Sequence, residues 1–306
     1  MQMVLIGEYI KQRRKELHLT QEKVCDGICD PTTLSRIENG CQVPSKTKLN
    51  ALLQRLGLPD SRYYAIVSKN ELEIEALKKE IVGCSITHRA QEGLEKIAEL
   101  EKKVDENDAL TKQFALRSKA LLNRLLGKMP SQEQLAVLIQ AIRLTIPSFS
   151  LDEINRYLYT FEEIKILNQI ALCYSDMEQR IKALEIYMQL LKYIRNHYEE
   201  IIAEGNGIYP MVLFNYSGEL GRAKHFSEGL QVCKEGKEIC IKYGHYQFLP
   251  GFIANMAECC FFLNEIEKSK GLYFQAYYMY QALGNQIALN AVKIEVKKYL
   301  GIDLPD

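Results

Sequence analysis

From Ile6 to about Val67, apolar residues recur at three- and four-residue intervals in short runs, each broken by Gly, Asn or Pro. That spacing marks helices with one buried face. The first should span about Ile6 to Leu17, with Ile6, Tyr9, Ile10, Arg13 and Leu17 on one side, and stop near His18. Thr20 before Gln21-Glu22-Lys23 reads as an N-cap whose hydroxyl accepts from the Lys23 amide; it starts a short second helix that Asp26-Gly27 closes. Asp30 is a good N-cap and Pro31 a favoured first helical residue, so a third helix should run to Glu38 and end at Asn39-Gly40. Pro44-Ser45 opens a fourth, Lys46 to Leu56, and Pro59-Asp60 a fifth. Val24, Leu34, Ile37, Leu49, Leu52 and Leu53 are its expected core.

Five short helices, the second and third joined by a tight turn, make a helix-turn-helix arrangement. The segments Ile6-Gly7-Glu8-Tyr9-Ile10, Arg14, Leu19-Thr20-Gln21-Glu22, Gly27-Ile28-Cys29, Leu34-Ser35-Arg36-Ile37-Glu38-Asn39-Gly40 and Pro44-Ser45 resemble the Cro/C1, or Xre, family of DNA-binding domains. The resemblance spans residues 1–67 and implies a structural pair between Arg14 and Glu38. A third helix of this size fits a major groove about 12 Å wide, its first residues reaching base edges. Pro31, Thr32 and Thr33 would enter first, Arg36 one turn later would reach guanine or a phosphate, and Gln21 at the start of the second helix would hold a phosphate. Lys46 and Lys48 would extend the backbone contact. Against these stand plainer roles: Thr33 as a capping residue, Arg36 as a solvated charge.

Beyond Ser68 the helical pattern repeats. Small residues fall at Ala90, Ala136, Ala183, Gly229 and Ser269, in steps of 46, 47, 46 and 40, and in the last three units a second small residue lies twelve positions earlier. This resembles tetratricopeptide repeats, although a standard unit is shorter, at about 34 residues, and the first two units fit poorly at several large-residue positions. The expected fold is therefore all-α: a five-helix helix-turn-helix domain (1–67) followed by a right-handed tetratricopeptide-like α-solenoid (68–306) of about five helix pairs, which regulates and dimerises. First helices of such pairs line a concave wall that takes extended peptides. Asn168, Asn215 and Asn255 lie on those helices, and a side-chain amide can donate to and accept from a peptide backbone at once. Lys165 is the candidate partner for a peptide carboxylate. The plain alternative is asparagine at helix ends or in solvent. The aromatic clusters around Phe261-Phe262 and Tyr273 to Tyr280 are expected to pack, and to contribute to a dimer surface.

Charge changes this picture little: the chain is neutral overall, with ten basic and seven acidic side chains in the first 67 residues. Nine scattered cysteines suggest a reducing compartment, and Cys25, Cys29 and Cys41 lack the partners of a zinc site. No signal-peptide pattern or membrane span is visible, so a cytoplasmic protein without metal or cofactor is expected. The absence of a P-loop, dinucleotide turn, nucleophile elbow or HExxH argues against an enzyme.

The domain order resembles the peptide-responsive regulators of Gram-positive bacteria, the Rgg/PlcR/PrgX (RNPP-type) family. The resemblance implies a homodimeric transcriptional regulator that binds an inverted-repeat operator in double-stranded DNA and a short signalling peptide in its repeat groove. The competing reading is a helical-repeat scaffold or antitoxin-like protein that binds a folded partner and uses its first domain as a DNA tether.

Overall fold

A computed structural model describes residues 6–58, 69–197 and 207–305, apart from the side chains of Lys69, Glu71 and Leu72. The expected fifth short helix at Pro59-Asp60 and the boundary at 67/68 lie outside the described residues. The chain forms two compact units, one of Met1–Gln179 with Lys192–Ile201, the other of Arg180–Leu191 with Ile202–Asp306.

The first unit opens with α1 (Ile6–Glu16), α2 (Gln21–Cys25), α3 (Pro31–Glu38) and α4 (Lys46–Arg55). The two expected caps are in place, Thr20 accepting from the Lys23 amide and Asp30 from the Thr33 amide, and Ser45 caps α4 by accepting from the Lys48 amide. Ile10, Val24, Leu34, Ile37, Leu49, Leu52 and Leu53 are all buried in one core, which also takes in Leu158 from a later segment of the same unit. Gly7 fixes how closely α1 approaches α3, since a Cβ there would lie 1.8 Å from the Ile37 carbonyl oxygen.

The same unit continues with α5 (Lys69–Ile86), α6 (Ala90–Glu101), α7 (Ala109–Leu125), α8 (Ser131–Arg143), a 3-10 turn (Leu151–Arg156) and α9 (Phe161–Asp176). Thr160 and Glu163 form a reciprocal capping box at the start of α9. A second core gathers Ile74, Leu77, Ile81, Ile97, Leu100, Phe114 and Leu122. Helix α10 (Arg180–His197) contributes its first twelve residues to the second unit and the rest to the first.

The second unit adds α11 (Ile208–Arg222), α12 (Phe226–Tyr243), α13 (Leu249–Phe262), α14 (Ile266–Ala282) and α15 (Gln286–Leu300). Three-residue turns join α11 to α12, α13 to α14 and α14 to α15, with the middle residue left-handed at Lys224, Asn264 and Gly284. At the α13 end Glu265 N–H donates to Cys260 O (2.8 Å) and Asn264 N–H to Phe261 O (3.0 Å), the paired bonds of a Schellman turn. Such a turn reverses the chain at once and makes antiparallel pairs. In the second unit the fourth residue of each second helix is small: Ala183 and Ser269 are fully buried, the Ser269 hydroxyl donating to Ala257 O of the preceding helix (2.8 Å), and a Cβ on Gly229 would lie 3.5 Å from Leu220 Cβ of the preceding helix and 3.2 Å from Cys259 Sγ of the following one.

In the first unit the repeat register departs from expectation. The residue four into α6 is Gly93, not Ala90, and a Cβ there would meet Leu122 Cδ1 at 2.8 Å. Four into α8 stands Gln134, buried, whereas Ala136 is exposed. Gln134 fits because its amide nitrogen donates to Met129 O (2.7 Å) while its oxygen accepts a weak bond from Cys173 Sγ (3.9 Å). A satisfied glutamine replaces the small residue, and the pattern of small residues cannot show that.

Candidate functional site

The exposed start of α3 follows from its cap. Asp30 accepts from the Thr33 backbone N–H (2.8 Å) and hydroxyl (2.6 Å), and these bonds, the hydroxyl first, hold its carboxyl below the ordinary aspartate range. The hydroxyl proton of Thr33 is therefore committed to Asp30, which leaves its oxygen lone pairs and methyl group. Pro31, Thr32 and Arg36 are exposed and Thr33 is half-buried. Leu34 and Ile37 on the opposite side anchor the helix in the core. One face of α3 is thus presented and the other is locked.

What orients α3 is a polar clamp beneath it. Arg14 of α1 donates Nε and Nη2 to the two oxygens of Glu38 (2.6 and 2.8 Å), and Nη1 to Leu19 O (3.0 Å). Glu38 is 3% exposed. This bidentate bond, foremost among the causes, raises the Arg14 pKa further. Gln21 donates Nε2 to Glu38 Oε2 (2.8 Å), so its amide nitrogen serves the clamp, while the residue's half-buried place at the start of α2 keeps it at the expected edge. A second tie, Lys11 Nζ to Asn39 Oδ1 (2.8 Å), closes the end of α3; sequence spacing carried no signal for it because the partners are 28 residues apart.

Lys46 and Lys48 are exposed at the start of α4. Lys48 also lines a cleft of about 250 Å³ with Asp105 and Asp108. The far end of α4 is buried. Arg55 donates Nη1 to Val24 O (3.2 Å) and to Asp26 O, and Nη2 to Glu163 Oε1 (3.3 Å). Glu163 accepts in addition from Thr145 Oγ1 and from the Thr160 backbone N–H.

The peptide-contact candidates are placed unequally. In the first unit Lys165 lines a cleft of about 280 Å³ with Thr47, Gln54, Phe161 and Glu162, and its Nζ lies 3.3 Å from Glu162 Oε2. Burial acts to raise the Glu162 carboxyl, but the charges of Arg117 and Lys165 outweigh it and hold the group at about 2, so it stays ionised and already neutralises part of the Lys165 charge. Asn168 is 4% exposed, packed in the interior. In the second unit Asn215 and Asn255 are half-buried, and Asn255 Nδ2 donates to Ser217 Oγ (2.9 Å), leaving its carbonyl oxygen for another partner.

Among the described residues no group of three or more His, Cys, Asp or Glu is placed to hold a metal ion, and no helix is long and apolar enough to cross a membrane. Seven of the nine cysteines are buried; burial pushes Cys25 up to about 11 and Cys233 up to about 12, which keeps them as unreactive thiols.

A capped, clamped and exposed α3 behind a tight turn, followed by antiparallel helix pairs, defines a class: a helix-turn-helix domain joined to a tetratricopeptide-like α-solenoid. Residues 10–62 match the helix-turn-helix family HTH_3. The whole fold is similar to that of PlcR from Bacillus thuringiensis in complex with the peptide PapR7 and DNA, with a TM-score of 0.64 and 19% identity over 94% of this chain and 98% of that one. ComR from S. thermophilus, in complex with DNA and its signalling peptide ComS, superposes with a TM-score of 0.54 and 18% identity over 95% and 98% of the two chains. ComR from Streptococcus vestibularis with its cognate peptide XIP gives 0.52 and 17% over 95% and 96%. No curated protein sequence matches the chain.

Proposed function

We propose that this protein is a cytoplasmic, sequence-specific DNA-binding transcriptional regulator, without catalytic activity or cofactor, whose repeat domain binds a short signalling peptide. The observation that carries the reading is the first turn of α3, held out by the Arg14–Glu38 clamp with Thr32 and Arg36 exposed. A helix so held enters a major groove with its N-terminal residues against base edges. Thr32 and Arg36, with Pro31 and Thr33 beside them, read bases, whereas Gln21, Lys46 and Lys48 meet phosphates, which fix position and carry no sequence information. The reading divides the chain at 67/68 into a DNA-binding domain and a regulatory domain, with Asn215 and Asn255 as peptide contacts in the second unit and, of the other two candidates, Lys165 lining a cleft and Asn168 buried in the first. PlcR and ComR, solved with DNA and signalling peptides, support both partners.

The experiment is operator selection from random duplexes, followed by mobility shifts. Arg36→Ala and Thr32→Ala should each cost about 1–3 kcal/mol on the selected site and relax preference at one base pair. Lys46→Ala should weaken all sequences alike. Unchanged specificity in both α3 variants would remove them from base readout.

One α3 contacts too few base pairs to mark a single genomic site, so the regulator acts as a homodimer on an inverted repeat. Exposed Phe262, Ile266, Tyr278, Leu283, Ile287 and Ile294 give the second unit apolar surface for such contact. Sedimentation of the full chain should show a dimer at micromolar concentration; a monomer there would count against this arrangement.

A further inference from the structure

The first helices of the pairs in the second unit, with α15 continuing their row, carry polar groups that DNA and peptide-backbone contacts leave unused. Glu258 of α13 is half-buried and accepts from the Tyr299 hydroxyl of α15 (2.8 Å). Glu295, also on α15, is half-buried and near enough to feel the Glu258 charge. Removal from water, and then the charge of Glu258, push the Glu295 carboxyl up to about 7. The nearby Tyr273 hydroxyl and then Lys298 oppose this shift, yet the Lys298 ammonium lies over the Tyr299 ring, 4.9 Å from the centroid, and the two do not cancel it.

A buried donor faces the same place. The Tyr273 side chain of α14 is fully buried, and its hydroxyl has no hydrogen-bond partner. The hydroxyl lies near Glu295 without meeting hydrogen-bond geometry, and after burial the two carboxylates are what hold it protonated. An unpaired buried hydroxyl is rare in a folded protein and asks for an explanation.

Across from these groups α11 carries glycine at 218 and 221, with the Arg222 guanidinium, paired to Glu219, close by. A Cβ on Gly221 would lie 3.2 Å from Glu258 Oε2, and one on Gly218 only at ordinary contact distance, 3.8 Å from Arg222 Nη1 and 4.0 Å from Asn255 Nδ2. Packing therefore does not require glycine at 218, although glycine inside a helix is unfavourable. Gly221 thus makes room for the Glu258 carboxylate, and Gly218 keeps α11 without a side chain of its own beside Asn255.

We propose that Glu258 and Glu295, with the Tyr273 hydroxyl beside them, form a subsite for an organic cation, the ammonium or guanidinium group of the bound peptide. The inference rests on the peptide-binding reading and adds the chemistry of the ligand. A cation between the carboxylates replaces repulsion by attraction, and in a half-buried site that change is larger than in water. Asn255, one turn away, then grips the backbone that carries the cation.

The test is screening of the full chain against bead-bound random heptapeptides, with the amino terminus free in one set and acetylated in the other. Lys or Arg should be enriched at one position of the acetylated set if a side chain supplies the cation, whereas preference for the free-terminus set alone assigns it to the terminus; both outcomes support the subsite. Resynthesised binders should lose about tenfold or more in affinity when the cation is replaced by a neutral isostere, as for a charge-assisted hydrogen bond. Glu258→Gln and Glu295→Gln should erase that difference, and Tyr273→Phe, which removes only an unpaired hydroxyl, should reduce it while the protein stays folded. Stability supplies the control for Glu295→Gln. A carboxyl whose folded value is raised loses stability as pH rises from the usual carboxylate range through about 7, so the variant should flatten that decline. Binders with no preference for a cation, or a preference that survives the glutamine variants, would overturn the subsite and leave peptide binding standing. A screen that yields no heptapeptide from either set would overturn the peptide reading and the subsite with it.

Discussion

Arg55→Ala is expected to destabilise the first unit by about 3–5 kcal/mol, the usual cost of removing one partner from a buried ion pair. Both side chains are out of water, Arg55 at 1% exposure and Glu163 at 0%. Without the guanidinium, Glu163 keeps only Thr145 Oγ1 and its own cap to Thr160, while the carbonyls of Val24 and Asp26 lose their donor. The charge would be stranded. Arg55→Met should cost less than Arg55→Ala because it refills the volume, and adding Glu163→Gln to Arg55→Met should recover part of the loss. A double-mutant cycle by chemical denaturation, followed with a probe in the first unit, measures the coupling. Strictly additive losses would show that the two residues act separately.

Glu38→Ala should have the second-largest effect, about 3 kcal/mol, at the lower edge of the same range because Arg14 keeps 12% exposure and can recruit water. The loss falls on one place. Glu38 alone receives Arg14 Nε, Arg14 Nη2 and Gln21 Nε2, so its removal frees α1, α2 and α3 from each other at once. Hydrogen exchange of the α2 and α3 amides reports this local opening directly. Faster exchange in these helices, with parental rates in α13 and α14, is the expected pattern. Glu38→Gln should lie between, since it keeps the shape and one acceptor but gives up the charge. Parental protection of α3 in Glu38→Ala would mean that the core beneath Leu34 and Ile37 orients the helix without the clamp.

The elements of the first 58 residues were legible because their signals are local. A cap such as Thr20 or Asp30 acts on an amide three residues away, and helical periodicity needs only the next turn, so α1 to α4 appear within a residue or so of their expected bounds. The last repeats were legible for a related reason: Gly229 and Ser269 each face a helix that only a three-residue turn separates from their own. Gln134 marks the limit. Whether a large polar residue can replace a small one depends on Met129 O and Cys173 Sγ standing at the right distance, and only packing decides that.

By itself, then, the sequence determined an all-helical chain, a capped third helix offering Pro31, Thr32 and Arg36, and a repeating array of helix pairs behind it. Tertiary structure decided which candidates face solvent and which are already occupied: the Thr33 hydroxyl bonded to Asp30, Gln21 drawn into the clamp, Lys165 paired with Glu162, Asn168 buried. It also brought together Arg55 with Glu163 and Glu258 with Glu295, pairs 108 and 37 positions apart. Hydrogen bonds and charges act over a few ångströms in space, whereas the patterns readable in a sequence extend over a few residues along the chain. Where the fold brings distant residues within that reach, it alone sets the chemistry.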